Sequence, residues 1–370
     1  MRLKRVIFPV VVGAVSIATQ TFLLREIAII FHGNEFVIGV VFFLWLVGGG
    51  VGAYILSRCN LRDDLVVIIG GILPSLCLLV ARLCPWLFSF PRWVLLPPWW
   101  IFPVGIISVF PVSVVMGGLF LVATKGLGEL SEGIPIAYSL DAIGCILGGV
   151  IAVVSLLLGA PVFGVLGGLS ILLLTIGASG LYIPVGICIV VCAFLFSGEV
   201  GDWGVMEVYA GRRVESPLGR IWIVSAGGQT NVYYNGELTF FVPPSPEEED
   251  YVYTTLSLVS TFGVGEAMFV GVGSAGLARF PLSTLVSRKQ VVEIDPVLVR
   301  VADSVGFIPR DVEVCIKDPV RIIRHSKGKY ALIFLGVGNP VSLAGNRFFT
   351  KEWLSTVYTA LEPGGVYTFT

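Results

Sequence analysis

The stretch VGVGSAGLARF runs from Val270 to Phe280, and VVEIDP follows it from Val291 to Pro296. Gly271, Gly273 and Gly276 form an intact G-x-G-x-x-G after the apolar run AMFV. Glycine permits a tight turn and a close backbone approach, and a helix starting there offers free N–H groups to a ligand. A tight strand-to-helix turn that binds nothing has the same pattern. Glu293 closes the next apolar run, where a carboxylate can accept the hydroxyls of a ribose. Asp318 closes a third, in CIKDPVRIIR. Together the three features fit an adenosine-containing ligand. Each acid alone also reads as a solvated strand end, and an NAD-type site uses the same glycines and the same acid.

From Glu266 onward, apolar runs of strand length alternate with helical patterns: AMFVGVG, a helix from about Ser274, KQVVEID, a helix from Pro296 to about Ser304, VEVCIKD, a short helix, YALIFLGV, a helix over KEWLSTVYTAL, and GGVYTFT. This alternation predicts a parallel, doubly wound α/β sheet, the class I methyltransferase-like or Rossmann-like arrangement, over 246–370. The chain ends in what reads as the fifth strand, so a domain truncated at its C-terminus is expected.

Upstream, residues 206–245 alternate apolar and polar side chains around an Asn235–Gly236 turn, the pattern of a small β-hairpin domain. PPSPEEEDYVYTTLSLVSTF then reads as a loop leading into a helix with acids at its N-terminus. The run Glu247, Glu248, Glu249 and Asp250 can attract a cation, or simply form a solvated face.

The first 198 residues are of another kind. The chain of 370 residues is 55% hydrophobic and only 13% charged, against roughly 25% charged in soluble domains. Apolar runs near the 20 or so residues needed to cross a bilayer occur at 7–30, 35–56, 65–84, 100–124, 136–158, 161–179 and 181–197. They predict an all-α transmembrane bundle of about six to seven spans over 1–198. The charged start and apolar run of MRLKRVIFPVVVGAVSIATQ resemble a signal peptide, but further spans follow at once, so it reads as a first span. PWLFSFPRWVLLPPWW, rich in Trp and Pro, suits an interfacial or re-entrant piece. Arg2, Lys4 and Arg5, then Arg58 and Arg62, then Lys125 fall on alternate loops, which places the N-terminus in the cytoplasm. A cytosolic cofactor needs an even number of spans, so one candidate within 161–197 is expected to be re-entrant or merged. Inside the spans, Gln20, Arg25, Glu26 and Asp141 are costly in lipid and read either as pathway residues or as interfacial groups paired with one another. The small residues of GGGVGAY and GCILGGV predict close helix packing.

Net charge is -1, with 24 Lys and Arg against 25 Asp and Glu. No basic excess is left to neutralise phosphates, so nucleic acid is excluded as a partner. The seven cysteines contain no C-x-x-C pair, so no zinc site or secreted disulfide framework is expected, and Cys188 and Cys192 read as packing residues on one helix face. His32 and His325 are the only histidines and neither lies in a ligand cluster. No metal is expected.

GRIWIVSAGGQTNVYYNGEL, VGVGSAG, VVEIDPVLVRVAD, KDPVRIIR, NRFFTKEW and LEPGGVYTF stand in the order seen in the spermidine/spermine synthase family. The chain resembles that family over about 207–370, most specifically through VEIDP and NRFFT. LREIAIIFHGNEFVIGV and AYSLDAIGCILGG are similar to the multi-span segment of its membrane-attached bacterial members. The resemblance implies transfer of an aminopropyl group from decarboxylated S-adenosylmethionine to a polyamine. It also implies an adenosyl site with Glu293 on the ribose, Asp318 on the adenine side and Gly271 to Gly276 lining the cofactor. With the apolar runs and the charged loops it leads to the expectation of a lipid bilayer as partner and a bacterial inner-membrane location with the C-terminal domain in the cytoplasm; further copies of the chain are a candidate partner. By the same likeness Glu249 and Asp250 fall on the substrate side, with Tyr253 where the family has a histidine.

The departure lies after the fourth strand. There the soluble enzymes carry Asp-Ser-Thr-Asp-Pro, whose first Asp acts on the attacking amine. Here the stretch is Gly336-Val337-Gly338-Asn339-Pro340, with no carboxylate. The catalytic residue is therefore unassigned, and losing a positioned general base typically costs about 10²–10⁴-fold in rate. Two alternatives follow. One is a non-catalytic membrane transporter or sensor with a degenerate adenosyl- or polyamine-binding domain, with Glu26 and Asp141 as its membrane sites. The other is an S-adenosylmethionine-dependent methyltransferase, against which NRFFT speaks.

Overall fold

In the computed structural model of the chain the described residues are 2–31, 33–59, 61–88, 96–128, 130–178, 187, 211–243, 265–279, 286–337 and 343–369. Two compact units emerge, Met1–Glu207 and Val208–Thr370. Of the sequence expectations, the last candidate span apart from residue 187, Cys188 and Cys192, the acidic run with Glu249 and Asp250, Tyr253, His32 and Asn339 lie outside the described residues.

The first unit is helical: α1 (Arg2–Ile30), α2 (Phe36–Arg58), α3 (Asp63–Leu87), α4 (Ile101–Ser108), α5 (Phe110–Leu127), α6 (Leu130–Leu157) and α7 (Val162–Gly177). Among the described residues, α1, α2, α3, α5 and α6 are long and apolar enough to cross a membrane, and α7 is a shorter apolar helix. The run at 100–124 is not one helix. It breaks at Val109 between α4 and α5, because Pro111 has no N–H to donate and its ring crowds the carbonyl of Ile107.

α1 forms the middle of the bundle and buries Val15, Ala18, Phe22, Leu23 and Ile27. α2 and α6 turn Phe42, Phe43, Leu46, Ile146, Val150 and Leu157 outward. Glycines bring the helices together. A Cβ on Gly52 of α2 would strike the carbonyl oxygen of Val114 in α5, and one on Gly148 of α6 the carbonyl oxygen of Ala14 in α1. Small residues therefore do here what they do in membrane bundles, letting backbones approach where side chains would hold them apart.

The second unit holds two sheets. β1 (Gly211–Glu215), β2 (Arg220–Ala226), β3 (Gln229–Tyr234) and β4 (Glu237–Val242) form an antiparallel meander, which is larger than the predicted hairpin. Two-residue turns set its register: Gly227–Gly228 and Asn235–Gly236 all have positive φ, as a type I′ turn matched to strand twist requires. The other sheet is parallel, in the order β7-β6-β5-β8-β9, from β5 (Glu266–Val270), β6 (Arg288–Glu293), β7 (Glu313–Ile316), β8 (Tyr330–Leu335) and β9 (Leu361–Phe369). In chain order this is 3-2-1-4-5, a doubly wound order whose direction switches between β5 and β8.

Helices α8 (Pro296–Ser304), α9 (Pro319–Arg324), α10 (Leu343–Asn346) and α11 (Lys351–Ala360) complete the unit. β8 is buried along its whole length, as expected of a parallel strand covered on both faces. On one face Phe269, Val291 and Phe334 pack with Leu298 and Val301 of α8 and with Ile221, Val232 and Phe240 of the meander. On the other, Met268, Val292 and Ile333 pack with Ile323, Trp353 and Val357. The helix expected from about Ser274 is a 3-10 helix over Val272–Arg279. Gly273 and Gly276 disfavour α-helix, and each is held close by a neighbour described below.

Candidate functional site

The carboxyl ends of β5, β6 and β8 converge on the glycine turn. Gly271 sits at φ +87°, in the left-handed region that favours glycine. A Cβ there would lie 2.7 Å from the carbonyl oxygen of Gly336 at the end of β8. A Cβ on Gly273 would lie 2.7 Å from the carbonyl oxygen of Thr239 in β4, and one on Gly276 2.9 Å from the ring of Phe307. That ring stacks on Phe240 of the meander at 4.1 Å and 18°. All three glycines are thus demanded by packing within the unit, before any ligand is considered.

Glu293 ends β6 and reaches back over the turn. Its Oε1 accepts the N–H groups of Ile294 (2.7 Å) and Asp295 (2.9 Å), and its Oε2 accepts that of Val272 (3.0 Å). A carboxylate has about four lone-pair sites, so one acceptor remains on Oε2 for a donor such as a ribose hydroxyl. Burial raises the Glu293 carboxyl above its ordinary range, against the lowering effect of these three N–H groups.

Asp318 lies at the end of β7, where its Oδ1 caps α9 by accepting from the Val320 N–H at 3.0 Å. Its Oδ2 accepts from Nη1 of Arg347 at 3.1 Å, and the Arg347 guanidinium also lies 4.7 Å over the Phe348 ring. Asp318 and the NRFFT segment are therefore joined, a link invisible in two motifs nearly thirty residues apart.

Gly336 carries the sharpest consequence. A Cβ there would stand 2.5 Å from Cβ of Ser274. Ser274 is itself buried, donating from Oγ to the Gly271 carbonyl at 2.6 Å. Position 336 therefore has no room for a side chain, because the glycine turn fills the space beside it.

Sequence reasoning missed the polar core of this unit. Asp295 is almost fully buried and caps α8 by accepting from the N–H groups of Val297 and Leu298. It also accepts from the Tyr234 hydroxyl at 3.0 Å and, in a short bond, from the Ser216 hydroxyl. One carboxylate thus ties the β1–β2 loop and β3 to the start of α8. Burial, then the Asp295 charge, pushes the Tyr234 hydroxyl up, so it stays a donor. The Asp-Pro dipeptide after a strand is a legible capping signal. Its partners were not legible, because they come from another sheet. His325 follows α9 and places Nδ1 2.7 Å from the Arg321 carbonyl.

In the helical unit Glu26 of α1 meets Arg82 of α3 at 3.0 Å and Arg25 at 3.7 Å. Arg82 was also missed, though a lone Arg in the apolar run LLVARLCPW is the signal that marks it. Asp141 of α6 stands apart from this group, with the Cys145 thiol 3.8 Å from its Oδ2. Among the described residues no cluster of His, Cys, Asp and Glu could hold a metal ion.

No protein-family model and no curated protein matches the chain. It is similar to two solved structures of spermidine synthase. One is in complex with the transition-state analogue AdoDATO, at 21% identity and TM-score 0.34, covering 43% of this chain and 56% of that one. The other is from Thermotoga maritima, at 21% identity and TM-score 0.34, covering 42% and 55%. The chain spans about half the length of these structures. At so low a TM-score, any functional reading rests on this chain's own residues.

Proposed function

We propose that the second unit binds an adenosyl compound of the decarboxylated S-adenosylmethionine type, as a spermidine synthase-like domain carried by a membrane-spanning helical unit. The observation that carries the first part is Glu293, which pins the glycine turn at the switch between β5 and β8 and keeps one acceptor for a ligand hydroxyl. The motifs VEIDP and NRFFT, with the Arg347–Asp318 link, support the choice of ligand. The membrane part is supported by the long apolar helices and by the outward-facing Phe, Leu and Ile side chains of α2 and α6. So many exposed large apolar side chains on two helices are unusual for a soluble monomer.

A second reading, binding without turnover, is favoured by Gly336 and Ser274. Aminopropyl transfer needs a group to take the proton from the attacking amine. Among the described residues at the end of β8 there is none, and a carboxylate at position 336 has no room. Binding of a polyamine by Glu249 and Asp250 belongs to this proposal as well.

Calorimetry on the full chain in detergent tests both readings, using decarboxylated S-adenosylmethionine, S-adenosylmethionine and methylthioadenosine, with Glu293→Ala as control and product analysis of the same samples. Binding of the decarboxylated compound that is lost in the variant, with methylthioadenosine released when a polyamine is added, is expected of an aminopropyltransferase. Binding without release supports a sensor or carrier domain. Preference for S-adenosylmethionine points to methyl transfer, and no binding of any of the three sinks the adenosyl reading.

A further inference from the structure

The packing of the helical unit fixes the directions of its helices. Gly144 and Gly148 of α6 lie against Val10 and Ala14 of α1, so these two run parallel. Gly48 of α2 lies against Ser113 of α5, and Leu56 of α2 lies near Gly118, so this pair is parallel too. Gly71 of α3 lies against Leu174 of α7, whereas Val67 lies against Gly177, so that crossing is antiparallel.

Helices α1–α2–α3 thus run up, down, up, and α5–α6–α7 run down, up, down. Exchanging the two triplets turns the α1–α6 contact into the α5–α2 contact and leaves the α1–α5 and α3–α7 contacts in place. The sequence carries traces of the same exchange. G-x-x-x-G occurs at Gly48 and Gly52 and again at Gly144 and Gly148, and Pro9 early in α1 is answered by Pro111 at the α4–α5 break. This is an inverted-topology repeat, the plan on which many alternating-access carriers are built, with cargo bound where the repeats meet.

Two unsatisfied polar groups lie at that meeting. Ser170 of α7 is fully buried and its Oγ has no hydrogen-bond partner among the described residues. The α3–α7 register puts it one turn beyond Leu174, across from Ser75. Arg82, 4% exposed, gives Nη2 to Glu26 and lies over the ring of Phe163 in the other triplet at 4.6 Å. Its Nε and Nη1 find no acceptor among the described residues. Nε–H lies on the Nη2 side of the guanidinium and Nη1 on the Cδ side, so the two donors face apart, and each can give one charge-assisted hydrogen bond to an oxyanion. Buried donors left unmade are expensive and, inside a membrane, mark function by default.

We infer that the helical unit is an alternating-access carrier made of two inverted three-helix repeats, whose cargo presents an oxyanion to a buried N–H donor of Arg82. This rests on the membrane reading above, and alkaline carbonate washing separates the two: a chain released from vesicles by the wash fails the membrane reading itself.

For a chain that stays inserted, Ser75→Cys and Ser170→Cys, each in a background without the seven native cysteines, are labelled in proteoliposomes with a membrane-impermeant maleimide from either side. Labelling of both positions from both sides is expected, and labelling from one side only, or not at all, overturns the carrier. Thermal unfolding of the native-cysteine protein in detergent, with sodium acetate or inorganic phosphate against chloride at equal ionic strength, tests the cargo. Acetate or phosphate is expected to raise Tm, and Arg82→Lys, which keeps the charge but loses the Nε and Nη1 donors, to abolish the rise. No rise with either ion, or an equal rise in Arg82→Lys, overturns the oxyanion assignment.

Discussion

At the scale of single residues, Glu293 and Asp295 are adjacent acids in one motif with opposite surroundings. Glu293 is the one left with an acceptor to offer. Its carboxyl is raised by burial, so the folded chain takes up this proton at a higher pH than the unfolded chain. The ionised form therefore costs stability above the raised pKa, and that cost fades as pH falls through it. A ligand hydroxyl donating to Oε2 needs the ionised form. Methylthioadenosine affinity is expected to weaken as pH falls through the raised Glu293 pKa, and Glu293→Gln to flatten the profile. A wild-type affinity that does not fall on acidification in calorimetry counts against Glu293 as the contact. Asp295, by contrast, is structural. Asp295→Ala removes a helix cap and strands the buried hydroxyls of Ser216 and Tyr234, for an expected loss of about 2–4 kcal/mol, whereas Tyr234→Phe should cost about 1 kcal/mol. Chemical denaturation followed by fluorescence gives both numbers, and equal losses would break the assignment. Gly336→Asp tests the crowding at the end of β8. It should destabilise by about 1–3 kcal/mol through overpacking and restore no aminopropyl transfer. Ser274→Gly in the same chain should recover part of the stability.

Among elements, the glycine crossings divide tolerant positions from intolerant ones within one helix. On α6 a Cβ at Gly148 meets the α1 backbone, whereas a Cβ at neighbouring Gly149 meets nothing within 4 Å. Gly148→Ala is expected to lower the detergent Tm clearly and Gly149→Ala to leave it within experimental scatter or raise it slightly, since alanine is the better helix former. Similar Tm changes in both variants would mean that this crossing is not packed as described. The 3-10 segment after β5 makes a related point. Its apolar pattern alone reads as an ordinary helix start. What tightens it is the approach of Thr239 and Phe307, from a strand thirty residues earlier and a loop thirty residues later.

At the scale of the whole molecule, two compact units, one of apolar helices and one of sheets with helices, share one chain. An adenosyl ligand that binds only the folded second unit stabilises that unit by about 2.7 kcal/mol at a hundred times its Kd. Scanning calorimetry in detergent is therefore expected to show two transitions, with methylthioadenosine shifting one and leaving the other in place. A single transition shifted as a whole would show instead that the units unfold together.

The amino-acid order by itself determined the division into an apolar helical part and a mixed part, the two-residue turn at Asn235–Gly236 and the strand–helix alternation from Glu266. Each of these is written in local periodicity or in the φ a turn demands. Only the tertiary structure decided which residues meet. Arg347 reaches Asp318, Ser216 and Tyr234 reach Asp295, Ser274 fills the space beside Gly336, and Arg82 reaches Glu26. These pairs are far apart along the chain, and no local pattern encodes them. They arise because a parallel sheet brings successive strand ends to one edge, and because a helix bundle brings distant buried charges together when the apolar surroundings leave them no other partner.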